Sequence, residues 1–99
     1  MLYEELETAL GVLLVLARQR QPVATTDPAH RVRMVLIALD AGLDHAAGGS
    51  LAQSLSQIYN SMRRRFDGAA ATNDLTGLTE IADGVASLRA AWDQIGRPA

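Results

Sequence analysis

The sequence predicts an all-α protein, built as an antiparallel up-down four-helix bundle. Aromatic residues make up only 4% of the chain, and Ala and Leu dominate, which favours helix over strand. Four segments carry apolar residues at helical spacing. Short polar loops separate them, so consecutive helices are expected to be antiparallel neighbours. The 99 residues fit one domain over residues 1–99.

The first helix is predicted over about residues 2–20. Its apolar stripe recurs every three or four positions and consists of Leu2, Leu6, Leu10, Leu13 and Ala17. Val12 and Val15 lie off this face. Gln21-Pro22 ends the helix, because the residue before a proline avoids helical backbone geometry.

The second helix is predicted over about residues 27–45. Asp27 is the expected N-cap, and Pro28 suits the first helical position because its missing N–H would be unpaired there anyway. The stripe of this helix consists of Val32, Val35, Leu36, Leu39 and Leu43.

The third helix is predicted over about residues 50–71. It opens with Ser50 and Gln53, a capping box that satisfies two unpaired N–H groups. Its stripe consists of Leu51, Leu55, Ile58, Met62 and Phe66, with Tyr59 beside it.

The fourth helix is predicted over about residues 74–95, with Asn73 or Asp74 as its cap. Its apolar positions alternate spacings of three and four, which is the pattern of a seam for a partner helix. They are Leu78, Ile81, Val85, Leu88, Trp92 and Ile95. Gly96-Arg97-Pro98 ends the helix.

The charge balance argues against several partners. Nine basic and eleven acidic side chains give a net charge of −2, which provides no field to attract nucleic acid or anionic lipid. The one basic run, Arg63–Arg65, is interpreted as a solvated helix face, with a partner-facing or anion-contacting patch as the alternative. The longest apolar run, from Ala9 to Ala17, is too short to span a membrane.

No pattern in the sequence predicts an enzyme, a metal site or a cofactor. The chain has no cysteine, which excludes disulfides and thiolate zinc sites. His30 and His45 form neither an H-x-x-x-H nor a Glu-x-x-His pair. The acidic cluster Glu4, Glu5 and Glu7 is explained by the favourable field at a helix N-terminus.

The excess of apolar residues leaves two interpretations open. The apolar stripes of the four helices can pack into a single core, but Val12, Val15 and Val35 lie partly off these stripes. Exposed apolar surface on a small bundle usually marks a binding site. Alternatively, the packing of the bundle itself covers these residues.

Motifs along the chain resemble, in their order and spacing, those of the flagellar export chaperone family FliS. In the second half they are Gly48-Gly49, Leu55, Ile58-Tyr59-Asn60-Ser61-Met62, Arg64-Arg65, Ala69, Asn73-Asp74, Leu78 and Leu88-Arg89-x-x-Trp92. Met1-Leu2-Tyr3-Glu4 is similar to the M-L-Y-(D/E) motif in the first long helix of the family. Two positions depart from the pattern, since Ser61 replaces an aromatic residue and Ala70 replaces an asparagine. Family members carry an N-terminal cap ahead of M-L-Y, and without it apolar surface is expected to be uncovered.

The resemblance implies a non-enzymatic chaperone of the bacterial cytoplasm. Such a chaperone binds the disordered C-terminal segment of flagellin, prevents its early polymerisation and delivers it to the type III export gate. A groove in a helical bundle suits a client that folds into helices as it binds. The expected groove walls are apolar residues of the second and third helices, namely Val35, Leu39, Leu43, Leu55, Ile58 and Tyr59. The alternative is a helical interaction module that forms a homodimer through its uncovered apolar face and has no flagellin client.

Overall fold

The computed structural model describes residues 2–94, apart from the side chains of residues 45 and 91–94. It contains four helices, α1 (Leu2–Arg18), α2 (Asp27–Ala41), α3 (His45–Ala71) and α4 (Leu75–Gln94). All regular structure in the described residues is helical, which confirms the predicted all-α class. The predicted seam position Trp92 is one of the residues without a described side chain. Ile95 and the predicted stop at Gly96-Arg97-Pro98 lie outside the described residues.

The four helices pack as a ring around one core. Each helix packs against the next along the chain, and α4 packs back on α1. Within residues 2–94, the diagonal pairs have no close backbone approach. Arg89 near the end of α4 contacts Glu4 and Glu7 at the start of α1, as expected for antiparallel neighbours. The four-helix bundle prediction is therefore confirmed.

Most residues of the predicted apolar stripes face the core, but Leu2, Leu51 and Ile58 are exposed. The largest side chains with almost no exposure come from every helix and from the loop before α2. They are Phe66, Leu6, Leu10, Leu13, Leu36, Leu78, Val23, Val32 and Val85. Helical periodicity thus identified most of the buried positions, but on α3 only Met62 and Phe66 of the predicted stripe are buried.

The end of α1 and the N-cap of α2 differ from the expectation. α1 ends at Arg18 rather than near residue 20, because Arg20 adopts a positive φ of 60° and the chain turns. The N-cap of α2 is Thr26, whose side chain accepts the N–H of Ala29 at 3.3 Å. Asp27, the expected cap, is instead the first helical residue.

The boundary between α2 and α3 also differs from the expectation. α2 ends at Ala41 and not at residue 45, because the N–H of Gly42 already bonds to carbonyls of the last turn. Asp44 caps α3 by accepting the N–H of Ala47 at 3.0 Å. α3 therefore begins at His45, five residues before the expected start at Ser50. A kink at Gly49, where φ is 51°, separates this first turn from the rest of α3.

The start of α1 lies against the middle of α3. The hydroxyl groups of Tyr3 and Tyr59 are 2.6 Å apart and hydrogen bonded across the core. The part of α3 that precedes Ile58 therefore extends beyond the first described residue of α1. We use the name open end for a set of five apolar residues at this end of the bundle. They are Leu39, Leu43, Leu51, Leu55 and Ile58.

Candidate binding surfaces

The open end presents half-covered leucines on two elements. Leu39 near the end of α2, Leu43 in the following loop and Leu55 on α3 are half-buried against the core. Leu51 and Ile58 are 54% and 39% exposed. Leu51, Leu55 and Ile58 follow the i, i+4, i+7 spacing of one helix face. The described part of the chain therefore leaves all five of these apolar side chains partly uncovered, and Ile58 lines a shallow depression with Ser61, Met62 and Arg65.

The six groove residues expected from the sequence divide into two groups. Val35 and Tyr59 are buried, with 5% and 4% exposure, and belong to the core. Leu39, Leu43, Leu55 and Ile58 are accessible at the open end. Sequence reasoning assigned Leu51 only to the core-facing stripe of the third helix. Its position two residues after Gly49 was the available signal, because a stripe residue close to a helix break has fewer neighbours.

Polar contacts hold the two sides of the open end together. The hydroxyl of Ser56 donates to Asp40, which fixes the end of α2 beside α3. The amide of Asn60 donates to the Ser56 carbonyl at 2.9 Å, and Arg63 donates to the Asn60 side-chain oxygen at 3.2 Å. Asn60 also donates to Asp40 at 3.4 Å, so Asp40 joins the end of α2 to two successive turns of α3.

Two of the three arginines in the predicted basic run contact other side chains of the protein. Arg63 is half-buried and bonded to Asn60, as described above. Arg65 lies 3.8 Å from Glu80 of α4 in an exposed ion pair. Arg64 is exposed. Exposed pairs of this kind contribute little to stability, so the run resembles a solvated helix face.

The Tyr3–Tyr59 pair fixes the first turn of α1 over the core. Burial, and secondly the hydrogen bond to Tyr3, raise the pKa of Tyr59 above its ordinary value. The charge of Asp40 acts in the same direction on the pKa of this phenol. Tyr59 is therefore held as the neutral phenol, the form that can share a hydrogen bond with Tyr3.

The raised pKa of Tyr59 predicts a loss of stability at alkaline pH. The folded state favours the protonated phenol, so this contribution is complete below the unfolded pKa of about 10 and is lost as pH rises through the folded pKa. The chain has no lysine or cysteine, so no amine or thiol side chain adds to the effect of Tyr59 in this range. We expect the free energy of unfolding, measured by urea denaturation, to fall above about pH 10 by at most about 1.4 kcal/mol per pH unit.

The variant Tyr59→Phe tests this assignment, because it keeps the ring and removes the titrating group. Its alkaline pH dependence should be flatter than that of the unmodified protein, whatever its absolute stability. Equal slopes for the two proteins would contradict a role for Tyr59.

A second group of exposed apolar residues lies on α1 and α2. Of the seven large hydrophobic residues exposed in the described part of the chain, five lie there. They are Leu2, Val12, Val15, Met34 and Ile37. Val12 and Val15 are therefore surface residues, whereas packing covers Val35. Met34 and Ile37 were missed in the sequence, where they are apolar residues outside the predicted stripe.

The described residues offer no arrangement suited to metal binding. Within them, no three His, Asp or Glu side chains are grouped as the ligands of an ion would be. His30 is exposed on α2. None of the helices in this part of the chain is long and apolar enough to cross a membrane.

Comparison with known proteins agrees with the resemblance seen in the motifs. The family described as flagellar protein FliS matches residues 1–99. The chain is 30% identical over 96 residues to the flagellar secretion chaperone FliS of Salmonella typhimurium. The aligned region covers 96% of this chain and 71% of that protein. The match runs through all four helices and both groups of exposed apolar residues. The chain therefore belongs to the FliS family of flagellar proteins.

Proposed function

We propose that this protein is a flagellar export chaperone that acts in the bacterial cytoplasm. In this proposal it binds the disordered C-terminal segment of flagellin, keeps it from polymerising early and brings it to the type III export gate. Membership of the FliS family and the name of the Salmonella relative support the chaperone role. The proposal that the protein binds a client rests on one observation, the partly exposed leucines of the open end.

The open end suits a segment that folds as it binds. Ordering a disordered chain costs conformational entropy, which extensive apolar contact must offset. The stripe of Leu51, Leu55 and Ile58 can receive the apolar face of a helix, as in other helix-in-groove complexes. Leu39 and Leu43 provide the opposite wall. Burying such side chains stabilises a complex by roughly 1.5–3 kcal/mol for each one fully covered.

The six residues expected from the sequence have different parts in this proposal. Leu39, Leu43, Leu55 and Ile58 contact the client directly. Val35 and Tyr59 are buried in the core and do not contact the client; Tyr59 instead fixes the start of α1 against α3 through its hydrogen bond to Tyr3. Catalysis has no part in the proposal.

Titration with a C-terminal flagellin peptide tests the proposal. We expect Ile58→Asp to weaken binding by about tenfold or more, because a charge replaces an apolar contact, and calorimetric titration measures the change. Ile37→Asp is the matched control, since Ile37 is 41% exposed, similar to Ile58, and is not one of the residues of the open end. Circular dichroism confirms that both variants fold. The proposal fails if the unmodified protein does not bind the peptide, or if both variants bind it equally.

A second candidate function is a self-associating helical module without a flagellin client. The five exposed hydrophobic residues of α1 and α2 favour it, because such a face can pair with a second copy. Light scattering over a range of concentrations distinguishes the two functions. A stable dimer with no affinity for the flagellin peptide supports the module, whereas a dimer that the peptide dissociates supports the chaperone.

A further inference from the structure

A groove runs between α1 and α2 on the outer face of the bundle. It consists of two adjoining cavities of about 510 and 520 Å³. Both are lined by Glu5, Asp27 and Arg31, so they form one continuous depression. Its base is formed by Ala9 and Val35, which are buried. We call this depression the α1–α2 groove.

The walls of the α1–α2 groove are apolar along its length. Leu2 and Val12 line opposite ends on α1, and Met34 lines the α2 side. These side chains are 40%, 43% and 50% exposed. The distance from Leu2 to Val12 along α1 is about 15 Å, which corresponds to roughly three turns of a partner helix. A helix lying between two others can pack into such a groove at ordinary interhelical distances.

Carboxylates outnumber basic side chains along the rim of the α1–α2 groove. Glu5 and Asp27 are exposed, and neither makes an ion pair with another described residue. Glu4, on the same turn of α1, is instead 3.5 Å from Arg89. Arg31 is the one basic group shared by both cavities, so carboxylates outnumber it there. A partner with basic side chains would complement this rim.

We propose that the α1–α2 groove binds an amphipathic helix of another protein, with an aliphatic stripe flanked by Arg or Lys. The stripe packs against Leu2, Val12 and Met34, and the basic side chains face Glu5 and Asp27. The groove lies on a different face from the open end and does not depend on a flagellin client. A chaperone with both surfaces could hold a client and a second protein at once.

Synthetic peptides test this inference directly. One fluorescein-labelled peptide has leucines at i, i+4 and i+7 flanked by lysines, and its pair carries glutamates in place of the lysines. We expect fluorescence anisotropy to show that the basic peptide binds about tenfold more tightly than the acidic one, with a preference that weakens as salt is added. The double variant Glu5→Gln, Asp27→Asn should abolish this preference.

Substitutions of two valines on α1 distinguish binding in the groove from nonspecific hydrophobic binding to the surface of the helix. Val12 lines the groove, whereas Val15 is 49% exposed and lines neither cavity. We expect Val12→Asp to weaken binding of the basic peptide by about fivefold or more and Val15→Asp to change it less than twofold.

Three outcomes would overturn the inference. Equal binding of the basic and acidic peptides would remove the role of the rim. Equal effects of Val12→Asp and Val15→Asp would remove the role of the groove. Dimerisation that Val12→Asp abolishes, seen by light scattering, would make a second copy of the chain the occupant.

Discussion

Replacing Phe66 with alanine is expected to lower the free energy of unfolding by about 3–5 kcal/mol. Phe66 is 0% exposed and is the bulkiest of the fully buried side chains. The loss combines the transfer of apolar area with the cavity that the missing ring leaves. The guanidinium of Arg33 lies 5.5 Å from the ring centroid, so the variant also loses a cation–π contact. Since domains of this size are stable by only about 5–15 kcal/mol, the variant should be near the limit of folding.

Urea denaturation followed by circular dichroism measures this effect. Phe66→Leu is the graded control, because leucine fills part of the volume and should cost less than half as much. It also keeps the experiment informative if the alanine variant does not fold. A cost below about 1 kcal/mol for Phe66→Ala would contradict the central position of this ring.

The buried faces of the helices could be predicted because they depend on spacing alone. Leu6, Leu10 and Leu13 recur at intervals that place them on one side of any α-helix, wherever that helix lies. The same holds for Val32 and Leu36, and all five are at most 2% exposed. The fold class follows from such local regularities, which the sequence contains in full.

The helix ends could not be predicted as well, because several neighbouring residues can cap the same helix. Asp44 and Ser50 are both good N-caps, and the chain uses Asp44. Ser50 then lies one residue after the kink at Gly49. Which cap prevails depends on how α2 ends at Gly42, and Leu43 consequently lies in a loop rather than in a helix.

The binding surfaces were the hardest part to predict, because one stripe serves two environments. Tyr59 and Ile58 are adjacent on the same helix, yet Tyr59 is buried and Ile58 is exposed. Adjacent residues of a helix point about 100° apart, and only tertiary packing, such as the hydrogen bond of Tyr59 to Tyr3, decides which of the two directions is covered. Met34 was missed for a similar reason, since only the packing of α1 against α2 makes it a groove wall.

Asn73 connects the loop between α3 and α4 to the loop between α1 and α2. Its side-chain oxygen accepts the N–H of Val23 at 3.0 Å, and its amide donates to the carbonyl of Gln21 at 2.8 Å. These bonds hold the side chain of Val23, which is 0% exposed, in its buried position in the core. The backbone of Asn73 has a φ of 55°, in the left-handed region that Asn tolerates better than most residues.

Asn73→Ala is therefore expected to lower the free energy of unfolding by about 2–3 kcal/mol, through two lost hydrogen bonds and the strain of alanine at positive φ. Asn73→Gly removes the same bonds without the strain and should cost about 1 kcal/mol less. Asn73→Asp keeps an acceptor for the Val23 N–H and should also be milder than alanine. Thermal and urea denaturation of the three variants, with the neighbouring exposed Thr72→Ala as reference, give this order. If alanine is no more destabilising than glycine, backbone strain at residue 73 is not part of the cost, and if it matches Thr72→Ala, the two loops do not depend on Asn73.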